Sequence, residues 1–387
     1  MIQRSCQAVF MRGGTSKGVF FHSHDLPGDK TDRDAFILGV LGSPDPYGRQ
    51  LDGMGGGVSS LSKVMIVSRS ERDGVDVDYM ASQIAIGEPK VDFAANCGNL
   101  SSAVGVFAID QGLVEARDGQ ATVRMFNLNT QKRVDCVLQV RDGRAVVDGP
   151  FKIAGVSGSG SPIRLDFLAP GGAATGSLMP TGHPVEELHL ADGSTVQASI
   201  IDASTLCVFV RAADLALTGT EPPTVLRNKI EVMQRMEMIR GAAAVAAGIV
   251  SDPAEATRGS PQSPRVAAVS PAAASPMLSG GMLEAADCDI QVRMLSMGVP
   301  HLAIPLTGAM CVAVAAQTPG SLVSEAATPV DPGTAIRVGH GSGAVPVSAV
   351  VEAGADGPFA EGVSVFRTAR ALMEGRVFAP AGRRAIE

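Results

Sequence analysis

Tryptophan is absent from this 387-residue chain, tyrosine occurs twice, and only 18% of the residues are charged. With so few base-stacking surfaces, and a net charge of -7 that offers a polyanion no basic field, nucleic-acid binding is not expected. No stretch of 18 or more apolar residues occurs, and the start, Met1-Ile2-Gln3-Arg4-Ser5-Cys6, carries no apolar leader. Membrane attachment is therefore not expected either, and the chain reads as cytoplasmic. The six cysteines include no Cys-x-x-Cys pair and the six histidines no His-Glu-x-x-His, so free thiols are expected, with no disulfide framework and no metal centre. An apolar content of 45% argues against disorder as the whole answer.

Glycine is what the chain has in quantity: 45 residues, with 24 prolines. That composition favours turns and short strands over helical bundles or coiled coils. The length suggests two domains, and the chain contains a weak echo of itself. Gly13 to Phe21 resembles Asp202 to Val210, Ser62-Lys63-Val64 resembles Pro264-Arg265-Val266, Cys97-Gly98 resembles Thr307-Gly308, and Val123-Arg124-Met125 resembles Ile336-Arg337-Val338. Four matches in the same order point to a duplicated domain, with a junction between Ala169 and Ala198. The domains expected are 1–180 and 181–387, with the final strands free to pack across the boundary.

Each half reads as strands around one helix. Leu100 to Ile109 and Ala309 to Ala316 are apolar on nearly every side, and such a helix must be buried. Thr122 to Phe126, Val134 to Val140 and Ile336 to Val338 have the β-branched content of strands. Amphipathic helices are expected at Arg33 to Leu41 and Leu226 to Ala247. Ser260 to Pro276, with its Ser-Pro and Ala runs, reads as a long loop.

Three glycine-rich strings could carry chemistry. Met11-Arg12-Gly13-Gly14-Thr15-Ser16-Lys17-Gly18 could turn backbone N–H groups and two hydroxyls toward an anion, or be a plain hairpin turn. Asp52 to Lys63 fails the dinucleotide fingerprint, because Val58 takes the third glycine position and a strand follows. Its Ser60-Leu61-Ser62-Lys63 satisfies S-x-x-K, yet no K-T-G follows and a serine hydrolase remains a minor option. Lys63 itself stands at a strand mouth beside a flexible loop. Asn96-Cys97-Gly98-Asn99 opens the first buried helix, where a thiol or a bound carboxylate meets unpaired N–H groups and the positive end of the helix dipole. Of the histidines, His340 in a Gly-rich turn is the one that could reach a site.

Taken together, MRGGTSKGVFF at 11–21, GSPDPYGRQLDGMGGGVSSLSKV at 42–64, NCGNLSSAVG at 96–105, PTG at 180–182 and RVGHGSG at 337–343 resemble the PrpF family of 2-methylaconitate isomerases, with relatives acting on 4-oxalomesaconate and 3-methylitaconate. The resemblance implies an α+β, diaminopimelate-epimerase-like fold: two pseudo-symmetric domains, each a mixed sheet or partial barrel around a central helix, with the active site in the cleft between them. It implies an isomerase that needs no cofactor and moves or reorients a C=C bond of a small di- or tricarboxylate by proton abstraction and return. By the same resemblance Lys63 and Cys97 form the proton-transfer pair. Thr15, Ser16, Asn96, Gly98, Asn99, Thr181, Gly182, Thr307, Gly308, Ala309 and Ser342 bind substrate. A lysine acting as a base near neutral pH must be desolvated or set among other cations. Racemases of this fold place a cysteine at both central helices. Here the second helix opens Pro305-Leu306-Thr307-Gly308-Ala309, with Cys311 further in, which disfavours a two-thiol epimerisation. The competing reading is a non-catalytic accessory protein that binds a tricarboxylate for an aconitase-type enzyme. Assembly as a homo-oligomer is compatible with the chain, with no copy number indicated.

Overall fold

The computed structural model describes residues 3–93, 97–260, 263–296, 298–354 and 357–381. The chain divides into two compact units, Met1–Leu165 with Phe366–Glu387, and Asp166–Val365. The division thus lies earlier than 180/181, and the last strand counts with the first unit. The reason is pairing: Gln3–Gly13 (β1) is antiparallel to Ala369–Pro380 (β21) from Gln3↔Pro380 to Gly13↔Ala369, with one register shift at Phe10/Met11.

In the first unit β1 is followed by β2 (Ser16–His22), α1 (Lys30–Leu41), β3 (Lys63–Arg69), β4 (Val77–Ile84) and β5 (Val91–Asp92). Then come α2 (Gly98–Asp110), β6 (Gly119–Asn127), β7 (Lys132–Arg141), β8 (Arg144–Ala145) and β9 (Ile163–Leu168). The sheet is mixed. β1 and β2 are antiparallel, β2 and β3 parallel, β3 and β4 antiparallel, β4 and β6 parallel, and β6 and β7 antiparallel. Successive side chains of a strand point to opposite faces, and β2 shows it with two large rings. Phe20 lies 5.7 Å from Phe107 of α2, whereas Phe21 lies 6.2 Å from Phe36 of α1. Burying each ring contributes about 1.5–3 kcal/mol. Helix α2 is buried from Leu100 to Ile109, as an all-apolar helix requires. Helix α1 starts at its Asp29 cap, which accepts from the N–H of Asp32, and covers the opposite face of the strands with Phe36, Ile37, Val40 and Leu41.

The second unit contains β10 (Glu186–His189), β11 (Thr195–Ala203), β12 (Thr205–Arg211), α3 (Pro223–Leu226), α4 (Ile230–Ala246) and α5 (Pro253–Gly259). It continues with β13 (Arg265–Pro271), β14 (Ser275–Pro276), β15 (Met282–Leu283), β16 (Ile290–Ser296) and β17 (Val299–Pro300). Helices α6 (Leu306–Ala316) and α7 (Leu322–Ala326) and strands β18 (Ala335–His340), β19 (Gly343–Gly354) and β20 (Gly357–Arg367) complete it, β20 carrying the chain back to the first unit. The pairing scheme of the first unit recurs. β11 and β12 are antiparallel, β12 and β13 parallel, β13 and β16 antiparallel, β16 and β18 parallel, and β18 and β19 antiparallel. Even the register agrees: Gly18 faces Lys63 where Cys207 faces Arg265, and Val77 faces Met125 where Ile290 faces Val338. One ion pair is wired identically in both units. Arg124 meets Asp76 through its guanidinium at 2.7 Å and through its own backbone N–H, and Arg337 meets Asp289 in the same two ways, the guanidinium at 2.6 Å.

Two expected elements differ. The loop expected over 260–276 contains β13, whose Val266 to Val269 are buried on both faces, so the strand lacks the alternation that would mark it. The helix expected over 226–247 is α4, which starts later, at Ile230, because Lys229 takes ψ 76 ahead of it.

At Gly105 α2 packs tightly on β7: a Cβ there would fall on Cys136 Sγ. Although Ala normally favours a helix over Gly, Gly105→Ala is expected to lose about 1–3 kcal/mol through overpacking, read as a lower denaturation midpoint. Adding Cys136→Ala should recover part of that loss.

Candidate active site

In the first unit the hairpin between β1 and β2 lies against the start of α2. A Cβ on Gly13 would sit 2.8 Å from the carbonyl oxygen of Asn99, and one on Gly14, at φ +51, would fall on the Asn99 side chain. Those two glycines let the backbone come this close. Thr15 then meets Asn99, whose Nδ2 donates to Thr15 Oγ1 at 3.2 Å. Asn99 Oδ1 accepts from Arg367 Nε at 3.1 Å, which fixes the orientation of the amide. Because Thr15 Oγ1 accepts from Asn99, its own O–H is available to a ligand. Arg367 is 8% exposed, and burial pushes its guanidinium down to about 10. Ser16 is buried at the end of the same hairpin.

Cys97 is the N-cap of α2, and its side chain makes no capping bond, so the N–H groups of Gly98, Asn99 and Leu100 have no acceptor within the helix. A chain of buried hydrogen bonds holds the cap from beneath: Asn127 Nδ2 to Tyr79 Oη (3.0 Å), Tyr79 Oη to Ser101 Oγ (3.0 Å), and Ser101 Oγ to the Cys97 carbonyl (3.1 Å). Burial raises the Tyr79 phenol well above its ordinary value, so it stays a neutral donor. Lys63 opens β3 directly opposite Gly18. A Cβ on Gly18 would lie 2.8 Å from the Lys63 carbonyl and 2.9 Å from Leu100 Cδ1, so Lys63 and the first turn of α2 converge on this one glycine. The Lys63 Nζ donates to Gln83 Oε1 at 2.5 Å. Asn96 lies outside the described residues.

The second unit gathers a different set. Thr307, Gly308 and Ala309 form the first turn of α6 behind the Pro305 cap. Arg265, which stands in the register position that Lys63 holds in the first unit, donates from Nη1 to Thr307 Oγ1 at 2.6 Å. Beside it His301 accepts the N–H of Ala303 on Nδ1, and burial together with the Arg265 charge pushes its imidazole down to about 4. Ser342 donates its hydroxyl to Leu302 O and its N–H to His340 Nδ1, and His340 is 2% exposed. Thr181 and Gly182 occupy a separate turn, where Thr181 Oγ1 donates to His183 O and Gly182 N–H to Met179 O. Cys311 is fully buried and donates to Ile201 O.

The structure thus groups Thr15, Cys97, Gly98 and Asn99 around one helix terminus, with Lys63 adjoining, and Thr307, Gly308 and Ala309 at another. Arg367, Gln83, Tyr79 and Arg265 adjoin these groups without any glycine-rich string to announce them; only the echo of Lys63 in Arg265 was readable. Among the described residues no cluster of three or more His, Cys, Asp or Glu could hold a metal ion, and no helix is long and apolar enough to cross a membrane.

Known proteins resemble this chain along nearly its whole length. Residues 3–380 match the family described as PrpF protein. The chain is 39% identical to the 2-methyl-aconitate isomerase of Cupriavidus necator, over 96% of each chain. It is 37% identical to the 3-methylitaconate isomerase of Eubacterium barkeri and 37% to the (4E)-oxalomesaconate Delta-isomerase of Novosphingobium sp. (strain KA1), each over 97% of both chains. The solved structure of a methylitaconate-delta-isomerase superposes with a TM-score of 0.86 at 36% identity, covering 100% of this chain and 98% of that one. A hydroxyproline epimerase from Agrobacterium vitis shares the fold, with a TM-score of 0.54 at 13% identity over 99% and 96% of the two chains.

Among the six thiols Cys97 is the most exposed, at 8%. Burial pushes Cys6 up to about 11 and raises Cys288 and Cys311 as well, which suppresses their thiolates. Brief alkylation of the native protein with iodoacetamide should therefore label Cys97 ahead of the other five in peptide mass spectra; earlier labelling of Cys6 or Cys288 would contradict this.

Proposed function

This chain belongs to the PrpF family and is an isomerase, and on that premise we propose that it moves or reorients the C=C bond of an unsaturated di- or tricarboxylate, with Lys63 and Cys97 as its proton-transfer pair. The observation that carries the proposal is the convergence of Lys63 and the Cys97-capped start of α2 on Gly18, beside an anion-attracting group made of Thr15, Asn99 and Arg367.

The chemistry follows from what each group can do. A C–H adjacent to a conjugated carboxylate is broken when the Lys63 amine takes the proton, and the bonding pair passes into a delocalised dienolate. Negative charge grows on the carboxylate oxygens as it does so. The N–H groups of Gly98, Asn99 and Leu100, the Thr15 hydroxyl and the fixed charge of Arg367 stabilise that growth. Return of a proton at another carbon relocates or reorients the double bond, with Cys97 as the partner acid. Nothing is oxidised or reduced, and the proton count is unchanged. Arg265 in the second unit cannot take Lys63's part, because a guanidinium does not give up its proton near neutral pH. With Thr307 to Ala309 it suits a carboxylate that is held and not altered.

The test is incubation of the pure protein in deuterated water with 2-methylaconitate, 3-methylitaconate and 4-oxalomesaconate in turn. Deuterium is expected in the acid that is turned over; binding without incorporation would mean a carrier. Lys63→Ala should lower turnover by about 10²–10⁴-fold with its melting temperature retained, and near-normal turnover would remove the lysine from the mechanism. Full activity in Cys97→Ser would show that the thiol is not an obligatory proton donor.

A further inference from the structure

Three consecutive strands place Lys63, Gln83 and Asp92 in one cross-strand row: Lys63 of β3 faces Gln83 of β4, and Gln83 faces Asp92 of β5. Residues paired in this way project from the same face of a sheet. Gln83 is 8% exposed, and its amide is held by two backbone acceptors, with Nε2 donating to Ser62 O at 3.0 Å and to Ile84 O at 3.3 Å. Both N–H donors are thereby committed, so the oxygen is the end turned to Lys63 Nζ, at 2.5 Å. The backbone carrying Lys63 is anchored as well. Ser62 Oγ donates to Gln50 Oε1 at 2.5 Å, and Gln50, 1% exposed, is tied to Ser43 Oγ through Nε2 and to the N–H of Gly57 through Oε1.

We infer that Gln83 is a positioning residue for the proton transfer at Lys63, aiming the amine's lone pair at the substrate by occupying one of its N–H groups. The inference rests on the reading of Lys63 as the base. A neutral amine has two N–H donors and one lone pair, and giving one N–H to a fixed acceptor turns the lone pair away from that acceptor. An amide oxygen also has no charge with which to retain the ammonium once it has formed. A carboxylate would have both, because an opposite charge at this distance favours the protonated amine. Gln83 therefore also serves as a neutral spacer, one strand wide, between Lys63 and Asp92.

The other groups packed around Lys63 leave this assignment to Gln83. β2 opposes Lys63 with Gly18, which has no side chain, and the neighbouring Lys17 lies over the ring of Phe10 on β1. Helix α2 brings the thiol of Cys97 at its cap, β5 brings the carboxylate of Asp92, and the short turn Ser59–Leu61 carries nothing that titrates.

Two variants test the inference on the full chain, assayed with whichever of the three acids it turns over. Gln83→Met keeps the length and removes the acceptor. It is expected to lower kcat at least about tenfold, a share of the 10²–10⁴-fold worth of a placed base, with KM within about twofold of the parent. Gln83→Glu keeps an acceptor and adds charge. It is expected to move the alkaline-rising limb of the kcat/KM profile up by about one pH unit, the size of effect an adjacent opposite charge exerts. An unshifted limb in Gln83→Glu, or a Gln83→Met whose kcat and KM match the parent, overturns the positioning role. A kcat loss in Gln83→Met that goes with a matching loss of melting temperature and leaves the Gln83→Glu profile unshifted also overturns it, as a packing effect. Lys63→Ala separates the two readings: if it alone is inactive while both Gln83 variants behave as the parent, the lysine stands and the present inference fails. If Lys63→Ala is active, both fall.

Discussion

The first unit depends on one constraint, a helix that is apolar all round and must have sheet on every side of it. Helix α2 meets that demand with β1, β2, β3, β6, β7 and β21 packed around it, and the same demand by α6 accounts for the repeated strand order in the second unit. Such a helix cannot offer a polar face to solvent, so the part of it left for chemistry is its end. At that end the backbone N–H groups have no partner in the helix, and the chain brings small residues to it: Gly13, Gly14 and Gly18 in the first unit. The site is thus a by-product of packing. What makes the core stable also leaves a positively polarised helix terminus against a glycine hairpin.

Duplication of the fold did not duplicate the chemistry. Registers and the Arg124–Asp76 and Arg337–Asp289 pairs are retained, which shows how tightly the scaffold is specified. At the mouths of β3 and β13 the two units part: a lysine on a neutral amide in one, an arginine on a threonine hydroxyl in the other. A lysine can exchange a proton near neutral pH and a guanidinium cannot. The helix caps differ in the same sense, a thiol at Cys97 against a ring at Pro305.

Much of this was legible in the sequence, for reasons that also explain what was not. The central helices were readable because no other local pattern is apolar on all sides; Lys63 and Cys97 stood out as candidates through the glycine-containing strings they border and the family resemblance. β13 was missed since its alanines sit among Ser-Pro repeats that imitate a loop, and a strand buried on both faces carries no period-2 signal. Gln83 carries no signal at all by itself. Its place beside Lys63 is created by strand register, and that of Arg367 beside Asn99 by a return of the chain across 268 positions. Thr181 and Gly182 show the converse, a recognisable string whose hydrogen bonds stay within its own turn.

The pairing of β1 with β21 bears on how the protein is made. During synthesis the first strand emerges almost at once, yet its partner is among the last residues to be added, so the first unit remains one strand short until the second has been translated in full. At about 5–20 residues per second that is a wait of tens of seconds with the β1 edge unpaired, and β1 has Arg4, Gln7 and Arg12 interspersed along it, the kind of polar punctuation that discourages pairing with a neighbouring nascent chain. Arg367, on the same late segment, is delivered to Asn99 only at that closing step, so the anion-attracting group is assembled last, when the unit that carries it is complete.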